Sequence, residues 1–193
     1  MQYNKHSEIE GRHSFLSASK YQWLRYNEDK LIERFTTAMA AAKGTELHRI
    51  ANDLIKNGLK LQQSNKTLNR FVNDAIGFDM ESELGLYYSD NAFCTCDALK
   101  FLPATPRRPA RLLVFDLKTG TTKSSFDQLI VYAAYFCLEY GFKPTELDYD
   151  LRIYQNDTVY AFEDDPTDDI LHAMDRIVTF DQIIETLKEE ARR

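Results

Sequence analysis

Residues 111–119, RLLVFDLKT, constrain the fold more than any other stretch of this chain. Apolar residues run almost without interruption up to Asp116, the pattern of a strand covered on both faces rather than one with a wet side. Such a strand belongs at the centre of a sheet with helices on both sides, and the flanking sequence supplies the rest of that layer. Near residue 80 the apolar period becomes two: ELGLYYS, an Asp90-Asn91 turn and AFCTCDALKF predict a β-hairpin. The segment LPATPRRPA holds three of the five prolines and must be a loop, because proline cannot donate to a sheet ladder. ELDYDLRIYQ and TVYAFE, joined by Asn156-Asp157, predict a second hairpin.

Helical periods fill the remainder. Ser17 or Ser19 is placed to cap a helix before YQWLRY, and LIERFTTAMAAA continues the pattern. Gly44 is expected to interrupt it, after which Leu47, Ile50, Ala51, Leu54 and Ile55 recur at helical spacing up to Gly58. A short helix is expected over residues 67–76. A strong one follows over residues 125–140, with Ser124 or Ser125 as cap and Gly141 as stop, and a last one spans residues 167–190. The predicted fold class is α/β: a central mixed sheet flanked by helices, with a helical N-terminal part. One domain is expected over residues 1–193, mainly helical to residue 78 and a sheet core with flanking helices from 79.

Composition excludes several function classes. No apolar run reaches the roughly 20 residues of a membrane-spanning helix, and the start MQYNKHSEIEGRH lacks the apolar stretch of a secretory signal. A cytoplasmic protein is expected, without a membrane partner. Three cysteines, Cys94, Cys96 and Cys137, form no CxxC pair and read as reduced thiols. A formal charge of −6 argues against a sequence-independent coat for nucleic acid, which needs many neutralised phosphates. Residues 100–123 nevertheless carry Lys100, Arg107, Arg108, Arg111, Lys118 and Lys123 against the single acid Asp116, a local basic stretch suited to a short length of backbone or simply a solvated loop.

The chemistry centres on Asp116-Leu117-Lys118-Thr119-Gly120 at the end of the buried strand, with Asp97 inside another. Strand residues two apart share a face, so Asp116 and Lys118 project together. If Asp97 lies on the neighbouring strand, two carboxylates converge and repel unless a hard cation such as Mg²⁺ sits between them. A cation there would polarise a phosphate and acidify bound water while Lys118 offsets developing charge. The competing reading is a plain Asp116–Lys118 ion pair at a strand end. His48 shares a helix face with Gly44, which leaves room for another segment to approach closely; Glu46 lies about 200° from His48 around a helix, so the two cannot serve one ion, and His48 is taken as the ligand. Gln128, Tyr132 and Tyr135 form a polar and aromatic stripe on the helix after the strand, placed either to orient Lys118 or merely to cover the sheet.

Together these elements resemble the RecB-like branch of the PD-(D/E)XK nucleases. Ser17-Ala18-Ser19 is similar to an SxS motif, Gly44-Thr45-Glu46-Leu47-His48 to GxxxH, Cys94-Thr95-Cys96-Asp97 to GxxD, Asp116-Leu117-Lys118-Thr119-Gly120 to DxKTG, and Gln128-Leu129-Ile130-Val131-Tyr132 to QxxxY. The resemblance covers most of the chain. It implies a restriction-endonuclease-like core and a metal-dependent deoxyribonuclease acting as an exonuclease, encoded by a phage and working with a recombination or replication protein. It further implies His48, Asp97, Asp116 and the Leu117 carbonyl as ligands of Mg²⁺ or Mn²⁺, with Lys118 at the nucleophilic water and Gln128 and Tyr132 behind it. An imidazole ligand favours Mn²⁺. Cys94 stands where the family pattern often has glycine. The cysteines that hold an iron–sulfur cluster in many RecB-like relatives have no counterparts here, so no cluster is expected and the three thiols read as small buried hydrophobes. Some exonucleases of this fold form rings, so an oligomer is compatible with the resemblance. The alternative class is a nuclease-fold binding or inhibitor module without turnover; a metal-dependent hydrolase of another substrate is a third.

Overall fold

The computed structural model of the chain describes residues 14–192. The first 13 residues, on which the reading of a missing secretory signal rests, lie outside them. The chain divides into two compact units, Met1–Lys43 and Gly44–Arg193. In the first, a 3-10 helix, Ala18–Arg25, stands where a capped α-helix is predicted. Ser17 contributes its carbonyl, which accepts the Trp23 indole N–H at 3.1 Å. Phe15 and Phe35 meet edge to face, with ring centres 5.2 Å apart.

Helix α1 runs from Glu28 to Lys56 without a break. The expected interruption at Gly44 is therefore absent. A glycine inside a helix costs only about 1 kcal/mol, which a 29-residue helix absorbs, and here the missing side chain has a use: a Cβ at Gly44 would lie 2.7 Å from Thr119 Oγ1. What Gly44 admits is thus a side chain of the DLKTG segment.

The second unit continues with α2 (Thr67–Gly77), β1 (Glu81–Ser89), β2 (Ala92–Leu102), β3 (Ala110–Leu117), α3 (Asp127–Tyr140), β4 (Leu147–Gln155), β5 (Thr158–Ala161) and α4 (Thr167–Ala191). The strands form one mixed sheet in the order β1-β2-β3-β4-β5; β3 and β4 are parallel and the other pairs antiparallel. The prolines of residues 103–109 fall between β2 and β3. Helix α3 starts at Asp127, later than the serine caps predict: Ser125 Oγ donates to Asp127 Oδ2 at 2.9 Å instead of capping. Gly141, with φ 72° and ψ 26°, ends the helix in the left-handed conformation that glycine adopts without steric cost.

Strand β3 is the centre of the sheet. Leu112 and Val114 pack on the side of α3 and α4 with Leu129, Ala133 and Ile170, whereas Leu113, Phe115 and Leu117 pack on the other with Ala51, Ile55, Phe71 and Val72 of α1 and α2. Leu112 to Phe115 are fully buried, each side chain stabilising the fold by about 1.5–3 kcal/mol. The three cysteines are free; Cys96 and Cys137 are buried and Cys94 half-buried. Much of the basic stretch is already partnered, Lys100 by Asp79 at 2.6 Å and Arg111 by Asp150 at 2.9 Å. Among the described residues no helix is long and apolar enough to cross a membrane.

Gly44→Ala should lower stability by about 1–3 kcal/mol, the usual cost of overpacking. Thr119→Ala in the same chain should restore most of that loss, because it removes the clashing hydroxyl. Chemical denaturation of the two single variants and the double variant forms the cycle; additive effects would mean that the two residues do not meet.

Candidate metal centre

Asp116 is fully buried on β3, and neither of its carboxylate oxygens has a hydrogen-bond partner. Lys118 Nζ lies 3.0 Å from Oδ2, close enough for an ion pair but without hydrogen-bond alignment. Burial pushes the carboxyl up to about 6; the charge of Asp97 adds to the rise, while Lys118 and His48 oppose it. An ionised group so placed is costly. The donor set around it shows what would compensate: oxygen from two carboxylates and nitrogen from an imidazole, which suit a divalent ion.

Asp97 comes from β2. The register pairs Ala98 with Phe115, so one step further along Asp97 stands opposite Asp116. Its Oδ2 accepts the Leu117 backbone N–H at 2.9 Å, and its Oδ1 lies 3.3 Å from His48 Nδ1. That contact with Asp97 raises the imidazole's pKa, burial opposes the rise, and Asp116 and Glu83 reinforce it. Glu46, on another side of α1, is held by Arg49.

Sequence reasoning missed Glu83. Ser82 and Ala98 pair across β1 and β2, as do Leu84 and Cys96, which sets Glu83 opposite Asp97. In a regular strand residues two apart share a face. Here Ser82 bonds Asn52 of α1, yet Leu84 packs with the α3 layer; likewise Ala98 belongs to the α1 and α2 layer and Cys96 to that of α3. Both strands change face at Glu83 and Asp97. Glu83 has φ 50°, a left-handed backbone that no hydrophobic alternation announces. Ligand atoms of His48, Glu83 and Asp97 all lie within 4.8 Å of one another.

On the α3 side a chain of contacts leads away from Asp116. Lys118 Nζ donates to Gln128 Oε1, and Gln128 Nε2 donates to the Tyr132 hydroxyl. Tyr132 is buried, which pushes its phenol well up. Tyr135 packs against the core and stands as sheet cover. Leu117 buries its side chain on the α1 and α2 side, while the Lys118 N–H bonds the Tyr154 carbonyl at 2.9 Å.

A second missed residue, Gln155, is buried at the end of β4. Its amide donates to the carbonyls of Gly120 and Thr122 at 2.7 and 2.8 Å and accepts from Ser124 N–H at 3.1 Å. The loop joining Lys118 to Gln128 is thereby fixed at three points. Its place at the end of an alternating strand gives no hint of this, because the partner loop is distant in sequence. Comparison with protein-family models, with curated proteins and with solved structures finds no match.

With a folded-state pKa near 6 against about 3.9 in an unfolded chain, Asp116 holds its proton more tightly when folded. Folding stability should therefore fall as pH rises from about 4 to 6, by on the order of 3 kcal/mol at one pKa unit per 1.4 kcal/mol. Asp116→Asn should remove that slope in metal-free protein. Denaturant unfolding in chelator across this range is the measurement; a slope identical to wild type would place the strain elsewhere.

Proposed function

We propose that this chain is a metal-dependent deoxyribonuclease with a restriction-endonuclease-like core of the RecB-like PD-(D/E)XK kind, and that it hydrolyses DNA as an exonuclease using Mg²⁺ or Mn²⁺. One observation carries the reading: a buried carboxylate without hydrogen bonds, Asp116, faces a second carboxylate, Asp97, with His48 and Lys118 beside them. The exonuclease assignment rests on the motif resemblance. His48, Asp97, Asp116 and the Leu117 carbonyl would hold the ion. When bound, it would polarise a phosphate and lower the pKa of water.

The protein's own groups have distinct tasks. The Leu117 N–H fixes Asp97, so one acid is oriented by backbone. Lys118 is held between Asp116 and the Gln128 carbonyl oxygen, and Tyr132 fixes the amide behind it. An ammonium restrained in this way keeps a proton to direct at the attacking water or at a phosphate oxygen, where negative charge grows as the water oxygen bonds to phosphorus and the bridging P–O bond breaks.

Lys118→Ala should fold and bind metal but cleave linear DNA about 10²-fold more slowly or worse. Unchanged turnover would remove its catalytic role, and comparison of linear with closed circular DNA tests the exonuclease assignment. Mn²⁺ should raise the melting temperature of the wild-type chain, with about 2.7 kcal/mol of stabilisation at 100 times Kd, and should do so far less for Asp116→Asn. A wild-type chain indifferent to Mn²⁺, together with a destabilised Asp116→Asn, would favour a binding module built on the same fold.

A further inference from the structure

Strands β1 and β2 pair with each other up to the turn at Ser89 and Ala92, whereas the register of β2 with β3 covers only Ala98 to Leu102. A hairpin of residues 83–97 therefore projects past the end of β3, with Asp97 at its root. One face of it is covered. Leu84, Leu86, Cys94 and Cys96 pack in the α3 layer, Glu139 of α3 accepts the Tyr87 N–H, and Asp181 of α4 accepts from Ser89 and Asn91. The other face is bare: Gly85 and Tyr87 of β1 and Phe93 and Thr95 of β2 are all exposed, with Gly85 opposite Thr95 and Tyr87 opposite Phe93. Tyr87 is 51% exposed and Phe93 65%, so two neighbouring rings stand in water, where neither contributes much of the transfer free energy that aromatic burial gives. The Tyr87 hydroxyl donates to Asp90 Oδ1 at 2.8 Å, which restrains the ring at its tip. A Cβ at Gly85 would meet nothing within 4 Å, so the floor between the rings and the root of the hairpin is open.

We propose that this bare face is a stacking platform for unpaired DNA bases, with Tyr87 and Phe93 as the stacking rings, and that a single strand lies along it from the rings to the metal centre. This rests on the nuclease reading and names its substrate, the unpaired strand of a DNA end. At about 3.4 Å per residue, Phe93 lies roughly 14 Å along β2 from Asp97, a span that about four stacked nucleotides cover at about 3.4 Å each. Gly85, Tyr87, Phe93 and Thr95 carry no charge, so what this face offers a strand is stacking, which every base can use whatever the sequence. A duplex cannot use it, because its base faces are already stacked on one another and only base edges show in the grooves.

The test measures binding of the full chain to short labelled DNA by fluorescence anisotropy, in chelator so that nothing is cut, with circular dichroism to verify folding. Wild type should bind a single strand more tightly than the duplex of the same sequence. Phe93→Ala and Tyr87→Ala should each weaken the single strand on the order of tenfold, by the same factor at low and at high salt, and Phe93→Trp should keep the affinity. A strand of the same length made without bases should bind wild type weakly and lose nothing further in Phe93→Ala. Equal affinity of wild type and Phe93→Ala for the intact strand overturns the platform, as does an equal loss with the baseless strand; a Phe93→Ala protein that loses stability but not affinity would make the rings hairpin packing. Cleavage of linear DNA with Mn²⁺ decides the nuclease reading separately: a chain that binds single strands through these rings and cuts nothing keeps the platform and overturns the enzyme.

Discussion

Asp116 sits on the central strand with neither carboxylate oxygen hydrogen-bonded, and Asp97 brings a second acid to its side. The surroundings are arranged so that this is tolerable. Lys118 returns positive charge from two residues further along, the His48 imidazole of α1 lies 3.3 Å from one oxygen of Asp97, and the Leu117 N–H takes the other. Stability alone does not require such a pair, since apolar residues of similar volume in a well-packed core are commonly as good or better. The strain is local, and the apolar layers on either side of β3 offset it.

The two faces of the sheet contribute different groups, and a regular sheet would keep them apart. Lys118, Gln128 and Tyr132 belong to the α3 side; His48 belongs to the side of α1. They are linked through neighbouring acids, Asp97 in contact with His48 and Asp116 in contact with Lys118. Gln155 has a comparable role for the loop after β3, tying it to the end of β4 at three points. Rigid support of this kind keeps catalytic or ligating groups within a narrow range of geometry, which sites of either kind need.

Much of this was legible in the sequence because it depends on local rules. A continuous apolar run marks a doubly covered strand, a spacing of two puts Asp116 and Lys118 on one face, and a spacing of four links Gln128 to Tyr132. Gly141 closes its helix for a steric reason that any sequence reader can apply. The illegible parts depend on partners far away along the chain. Gly44 looks like a helix breaker until Thr119 is seen against it. Gln155 looks like an ordinary strand residue until its loop is in place, and Glu83 looks like a solvated acid because nothing in ELGLYYS signals a positive φ. The serines before α3 were plausible caps, but Ser125 bonds the Asp127 side chain, a choice between near-equal local partners.

The change of face at Glu83 also affects how this protein meets other chains. Strand β1 is at the margin of the sheet, and its outer backbone groups are a template on which another polypeptide could add a strand. A left-handed residue at the third position of β1 interrupts that template near its start, as bulges do at the rims of many sheets. Further along, the Glu139 carboxylate accepts the Tyr87 N–H at 2.8 Å and removes one more donor from the rim. Straightening β1 would therefore do more than move an acid away from Asp97: it would open an unprotected edge, so that the protection of the rim and the geometry of the acid cluster depend on the same backbone kink.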